Sequence, residues 1–138
     1  MKNLSLAIDY ITRAGHRVEA VKVLLKRESF ADVVRESQEI VELCLKALLR
    51  HSGTEVPRIH DVSEILIKEK RLLPNETQTH VDRLVKISRN LRRDRELAFY
   101  GTEDLTPMEF YKKEDADQAL GDASWVYQTC KEGMGLRL

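Results

Sequence analysis

The chain has 138 residues, enough for a single domain that buries about two-thirds of its unfolded surface around one core. Its 23 Lys+Arg balance 23 Asp+Glu while 33% of the residues are charged, which excludes a free-standing, strongly basic nucleic-acid binder but not a local basic patch. Only 6 Gly, 3 Pro and 6% aromatic residues, beside 42% hydrophobic ones, exclude collagen and turn-rich β architecture and point to an α-helical domain.

The first predicted helix covers about residues 3–27, where Leu4, Ala7, Ile11, Ala14, Val18, Val21 and Leu25 keep a three-four rhythm. Asp9 and Arg13 interrupt any secretion-signal pattern, and no apolar run reaches 18 residues, so a cytoplasmic protein outside the membrane is expected. The second helix begins at Phe30 with Ser29 as N-cap, carries Val33, Val34, Ile40, Val41, Cys44, Leu45 and Leu48 inward, and stops at Ser52-Gly53. A loop through Val56-Pro57 and His60 leads to Asp61, which opens a D-x-x-E start with Glu64 for a short third helix over about 61–70. Beyond Pro74-Asn75 the fourth helix presents Val81, Leu84, Val85, Ile87, Ser88 and Leu91, ending near residue 98. Gly101 and Pro107 bracket a loop, and the last helix runs from about Glu114 to Gly133. The fold class is all-α: an up-and-down bundle of about five helices, one domain over 1–132 with a frayed tail at 133–138.

The fourth helix concentrates charge. Arg83, Lys86, Arg89, Arg92, Arg93 and Arg95 stand against Asp94 alone between 83 and 95. Such a stripe suits phosphates, because a guanidinium holds an anion through two parallel N–H groups; it equally suits pairing with acids such as Glu39 and Glu42 on the second helix. His60 beside Asp61 reads either as a general base with its carboxylate or as a local packing residue next to a helix cap. Ser63 and Ser88 lack a recognisable nucleophile elbow or neighbouring base. Tyr100 and Tyr111 are either loop anchors or base-stacking platforms. Cys44 and Cys130 fall at apolar helical phases and read as buried small side chains; with no C-x-x-C or H-x-x-x-H spacing, neither a metal site nor any cofactor is expected.

Taken in order, the second helix from Arg35 to Leu49, Gly53, Val56-Pro57, His60-Asp61, Arg95-Glu96-Leu97-Ala98-Phe99-Tyr100-Gly101, Tyr111 and Glu114-Asp115-Ala116 resemble the HEPN domain (higher eukaryotes and prokaryotes nucleotide-binding) over roughly residues 5–130. The resemblance implies a helical bundle that commonly dimerises and is paired with a minimal nucleotidyltransferase in two-component, toxin–antitoxin-like systems. Its ribonuclease branch carries R-x4-6-H on the late long helix, with the sites of two subunits meeting at the dimer interface. Arg89-Asn90 occupies the matching start here, Asp94 stands five residues after Arg89, and no His occurs between 81 and 138. Arginine stays protonated and cannot replace imidazole as a proton carrier; Asp94, between Arg93 and Arg95, is expected to have its basicity lowered.

The leading reading is therefore a non-catalytic module that binds nucleotide or RNA phosphates through Arg89, Arg92, Arg93, Arg95 and Tyr100, with His60 and Asp61 in support. The alternative is a divergent, metal-independent endoribonuclease using Arg89, Asn90 and Asp94. A third is a pure dimerisation scaffold. A homodimer is expected, because Leu6, Ile8 and Tyr10 widen the apolar face of the first helix beyond one core contact.

Overall fold

In a computed structural model, residues 4–56, 61–102 and 105–136 are described, with the side chains of Arg95, Glu96, Leu97 and Phe99 left aside. They form α1 (Leu4–Lys26), α2 (Phe30–His51), α3 (Val62–Lys68), α4 (Asn75–Gln78), α5 (Val81–Tyr100), α6 (Pro107–Phe110) and α7 (Lys113–Gly133), with a 3-10 turn at Lys70–Leu72 and no strand among the described residues.

The second helix is the centre of the bundle because its apolar residues are too many for one stripe. Val33, Ile40, Cys44, Leu45, Ala47, Leu48 and Leu49 are all fully buried, so α2 meets α1, α5 and α7 on different sides. α1 turns Ala7, Ile11, Ala14, Val18 and Val21 onto it, and α7 packs through Ala116, Ala119, Leu120, Ala123, Val126 and Cys130. The inner face expected for the fourth helix, Val81 to Leu91, is buried in α5 as read. No helix among the described residues is long and apolar enough to cross a membrane.

The helix ends explain the turns. Glu28 adopts φ 61 and closes α1 with Ser29 N–H on Leu24 O (2.9 Å) and Glu28 N–H on Leu25 O (3.0 Å), a Schellman ending that folds α1 back along α2. Ser29 precedes α2 as expected, but its hydroxyl donates to Asp32 (2.6 Å) and makes no cap bond to the backbone. α2 ends on Gly53 (φ 96), with Thr54 N–H on Leu49 O at 2.8 Å.

Three expectations are refined. The segment from Asn75 is two helices, because Thr79 donates its hydroxyl to Glu76 O (2.7 Å) and His80 N–H bonds Thr77 O (2.9 Å), closing α4 before α5 starts. The loop before α7 contains α6, begun by Thr106, whose side chain accepts from Glu109 N–H, and by Pro107 in the first turn. Beyond Gly133, Met134 is buried, and Leu136 N–H reaches Lys131 O (3.0 Å) with Gly135 at φ 72, so residues 133–136 are packed rather than frayed.

Candidate phosphate-binding site

The site is built where α3 meets α5. Asp61 caps α3 by accepting from Ser63 N–H (2.9 Å), and the Ser63 hydroxyl, fully buried, donates to the same Oδ1 (2.8 Å). Arg89 Nε donates to Ser63 Oγ (3.2 Å), so the serine oxygen is both donor and acceptor. Three residues on, Arg92 Nη1 lies 3.3 Å from Asp61 Oδ1 and 3.8 Å from Glu42 Oε1, and Glu42 also pairs with Lys46 (3.3 Å). A continuous polar chain thus links α5, α3 and α2.

Asp61 is held ionised. Its partial burial pushes the carboxyl up, but the two hydrogen bonds from Ser63 and the charges of Arg92 and Arg89 outweigh this and keep it below the ordinary carboxylate value. With Asp61 negative, Arg92 is largely neutralised by its two acids, the pairing expected of a structural charge run. Arg89 differs. Its Nε is spent on a neutral hydroxyl, and its two Nη groups make no hydrogen bond or ion pair among the described residues. A guanidinium fixed at one edge with the other open suits bidentate contact with a phosphate.

The remaining predicted residues do not all converge. Arg93 follows Arg92 directly, a step of about 100° around the helix, and so points to a neighbouring face. It lines a cleft of about 410 Å³ between α5 and α7 with Asn90, Asp94, Tyr111 and Asp115, and stands 4.0 Å from Asp94. Tyr100 is 76% exposed at the end of α5, about 16 Å along the axis from Arg89, and joins neither cluster. His60 and the Arg95 side chain lie outside the described residues.

The basicity of Asp94 is corrected. Burial pushes its carboxyl up and Asp115 adds to this, so the pKa is raised although Arg93 opposes the shift. Beside it Tyr111 is buried, donates its hydroxyl to Asp94 O (3.3 Å), and is pushed up to about 12 by burial and by Asp94 and Asp115. Tyr111 is thus an anchor of the α5–α7 junction, the first of its two readings.

Ser63, weighed in the sequence only as a nucleophile, is here the anchor of Arg89. Its signal was the D-x-S at a helix start: a capping aspartate two residues before a serine brings carboxylate and hydroxyl together.

A family model of the HEPN domain matches residues 7–133. The candidate toxin MJ1304 of Methanocaldococcus jannaschii is 32% identical over 136 residues, covering 94% of this chain and 89% of that protein. No solved structure matches the chain.

Proposed function

The chain belongs to the HEPN family, and on that premise we propose that it is a non-catalytic module binding nucleotide or RNA phosphates within a two-component, toxin–antitoxin-like system. One observation carries the binding role: Arg89 is fixed through Nε to a buried hydroxyl while its Nη groups remain open. Arg92 shapes the rim, held by Asp61 and Glu42, and Arg93 adds exposed positive charge from the neighbouring face. The candidate-toxin designation of the archaeal relative supports the two-component setting, and the partner proposed is a minimal nucleotidyltransferase.

The missing late-helix histidine supports the non-catalytic part, since the described histidines, His16, His51 and His80, belong to α1, the end of α2 and the turn before α5. The raised carboxyl of Asp94, in a cleft with Asn90 and Tyr111, favours a second reading in which it acts as the base of a divergent ribonuclease.

A homodimer is part of the proposal, but its surface moves. Leu6 and Tyr10 are half-buried, with Tyr10 against the core and Arg50 5.8 Å from its ring centre, which leaves Ile8 as the exposed one of the three. The elbow after α5 exposes more: Tyr100, Leu105, Met108 (81%) and Phe110 are each exposed within eleven residues of sequence and suit a self-association face.

Isothermal calorimetry with a nucleoside triphosphate tests the binding role. Arg89→Ala is expected to weaken affinity by about ten-fold or more, and Arg92→Ala by less, with both still folded and melting within a few degrees of the parent. Unchanged affinity in Arg89→Ala contradicts it.

A further inference from the structure

A second site lies away from the arginines. Between α1 and α7 runs a groove of about 720 Å³, floored by Ile11 and Val18 and walled by Ile8, Tyr127 and Leu136. Gly15 lets the ring of Tyr127 approach α1: a Cβ there would stand 2.6 Å from the tyrosine hydroxyl. At the α7 side sits Lys131, only 6% exposed, whose Nζ lies 5.3 Å from the Tyr127 ring centre. Among the described residues this Nζ makes no hydrogen bond or ion pair. The acid on the lining, Glu19, is already paired with Lys22 at 3.2 Å, and His16 is the remaining titratable neighbour.

The stem of Lys131 is covered, and its ammonium, with a ring face as its contact, sets one positive charge against the apolar lining. The groove therefore asks for an occupant that is apolar and carries a carboxylate at one place. Its length on α1, from Ile8 to Lys22, is about 21 Å, the span of about four helical turns. A second copy is a poor occupant, because it would bring the same lining, whose acid, Glu19, is already paired with Lys22.

We propose that this groove docks an amphipathic helix of a partner protein, with apolar side chains over Ile8, Ile11 and Leu136 and one Asp or Glu on Lys131. The site is independent of the phosphate-binding reading, since it shares no residue with it.

The probe is a fluorescently labelled amphipathic peptide of about sixteen residues, with leucines at helical spacing and one central glutamate, beside the same peptide with glutamine there. Anisotropy titration of the parent chain is expected to show the glutamate peptide binding about ten-fold tighter. In Lys131→Met that preference should vanish. Thr12→Trp, an exposed position on the lining that leaves Lys131 untouched, should abolish binding of both peptides while the thermal melt stays that of the parent. Equal affinity of the two peptides for the parent, absence of binding, or binding indifferent to Thr12→Trp overturns the proposal. So does light scattering in which Thr12→Trp splits a dimer of the parent, since the face would then belong to a second copy.

Discussion

Arg89 on α5 and Ser63 on α3 are joined by a 3.2 Å hydrogen bond from Nε to a hydroxyl fully closed off from solvent. That bond fixes the direction of the guanidinium before any ligand arrives, and pre-organisation of this kind lowers the ordering cost of binding. Because the Ser63 hydroxyl donates in turn to Asp61, the orientation of Arg89 depends on the cap of a helix that makes no covalent neighbour of it.

Ser63→Ala should therefore act at a distance. Loss of the hydroxyl leaves Arg89 Nε and Asp61 each without one partner, a cost of about 1 kcal/mol in denaturant unfolding. Nucleotide affinity should fall with it, although Ser63 is buried and touches no ligand. Unfolding and calorimetry on one preparation check this; a stability loss with full affinity would show that Arg89 needs no support.

Asp61 and Asp94 should titrate with opposite signs. The folded-state pKa of Asp61 is lowered, so its contribution is present above the ordinary value of 3.8 and is lost as pH falls through the lower folded value. The folded-state pKa of Asp94 is raised, so its contribution is present below 3.8 and is lost as pH rises through the raised value. Asp94→Asn is accordingly expected to be more stable than the parent at neutral pH, with the gain shrinking on acidification. Asp61→Asn should be less stable at neutral pH, with the deficit shrinking as the parent's carboxyl protonates. Urea unfolding across a pH series reads both.

These two carboxylates also show what the sequence could carry. Asp61 was legible as a helix cap because D-x-x-E sits at a fixed spacing from an apolar run. Asp94 was misread because its burial, which no sequence spacing shows, outweighs the opposing charge of Arg93, and Asp115 from α7 adds to it. The helices themselves were readable from α2 outward, since a periodic apolar face survives folding unchanged. The division of the stripe was not, because whether Arg92 meets Glu42 and Asp61, or Arg93 faces a cleft, depends on which elements pack beside each side of α5. Lys131 gave no signal at all; a lone lysine near a helix end reads as solvated until tertiary packing covers it.

Glu28→Gly should stabilise the fold. A glutamate at φ 61 occupies the left-handed region where a Cβ costs about 1 kcal/mol, and glycine relieves that while keeping the Schellman bonds. A thermal melt a few degrees above the parent is the expected result; a lower melt would mean the Glu28 side chain contributes more than its backbone costs.

Gly101→Ala should do the reverse. Gly101 has φ 79, and an added Cβ would stand 2.7 Å from both Leu105 O and Pro107 Cδ, so backbone must move. A loss of about 1–3 kcal/mol is expected, with the elbow bearing Tyr100 and Met108 disturbed and any dimer formed through it weakened in light scattering.

The most direct test mixes labelled single-stranded RNA with nuclease-free protein, parent beside Arg89→Ala, and reads binding and cleavage from the same tubes over a salt series. The expected result is binding without cleavage, steeply weakened by salt in the parent and with a slope shallower by about one in Arg89→Ala. Cleavage by the parent that disappears in the variant, or binding identical in the two, contradicts a non-catalytic phosphate site at Arg89.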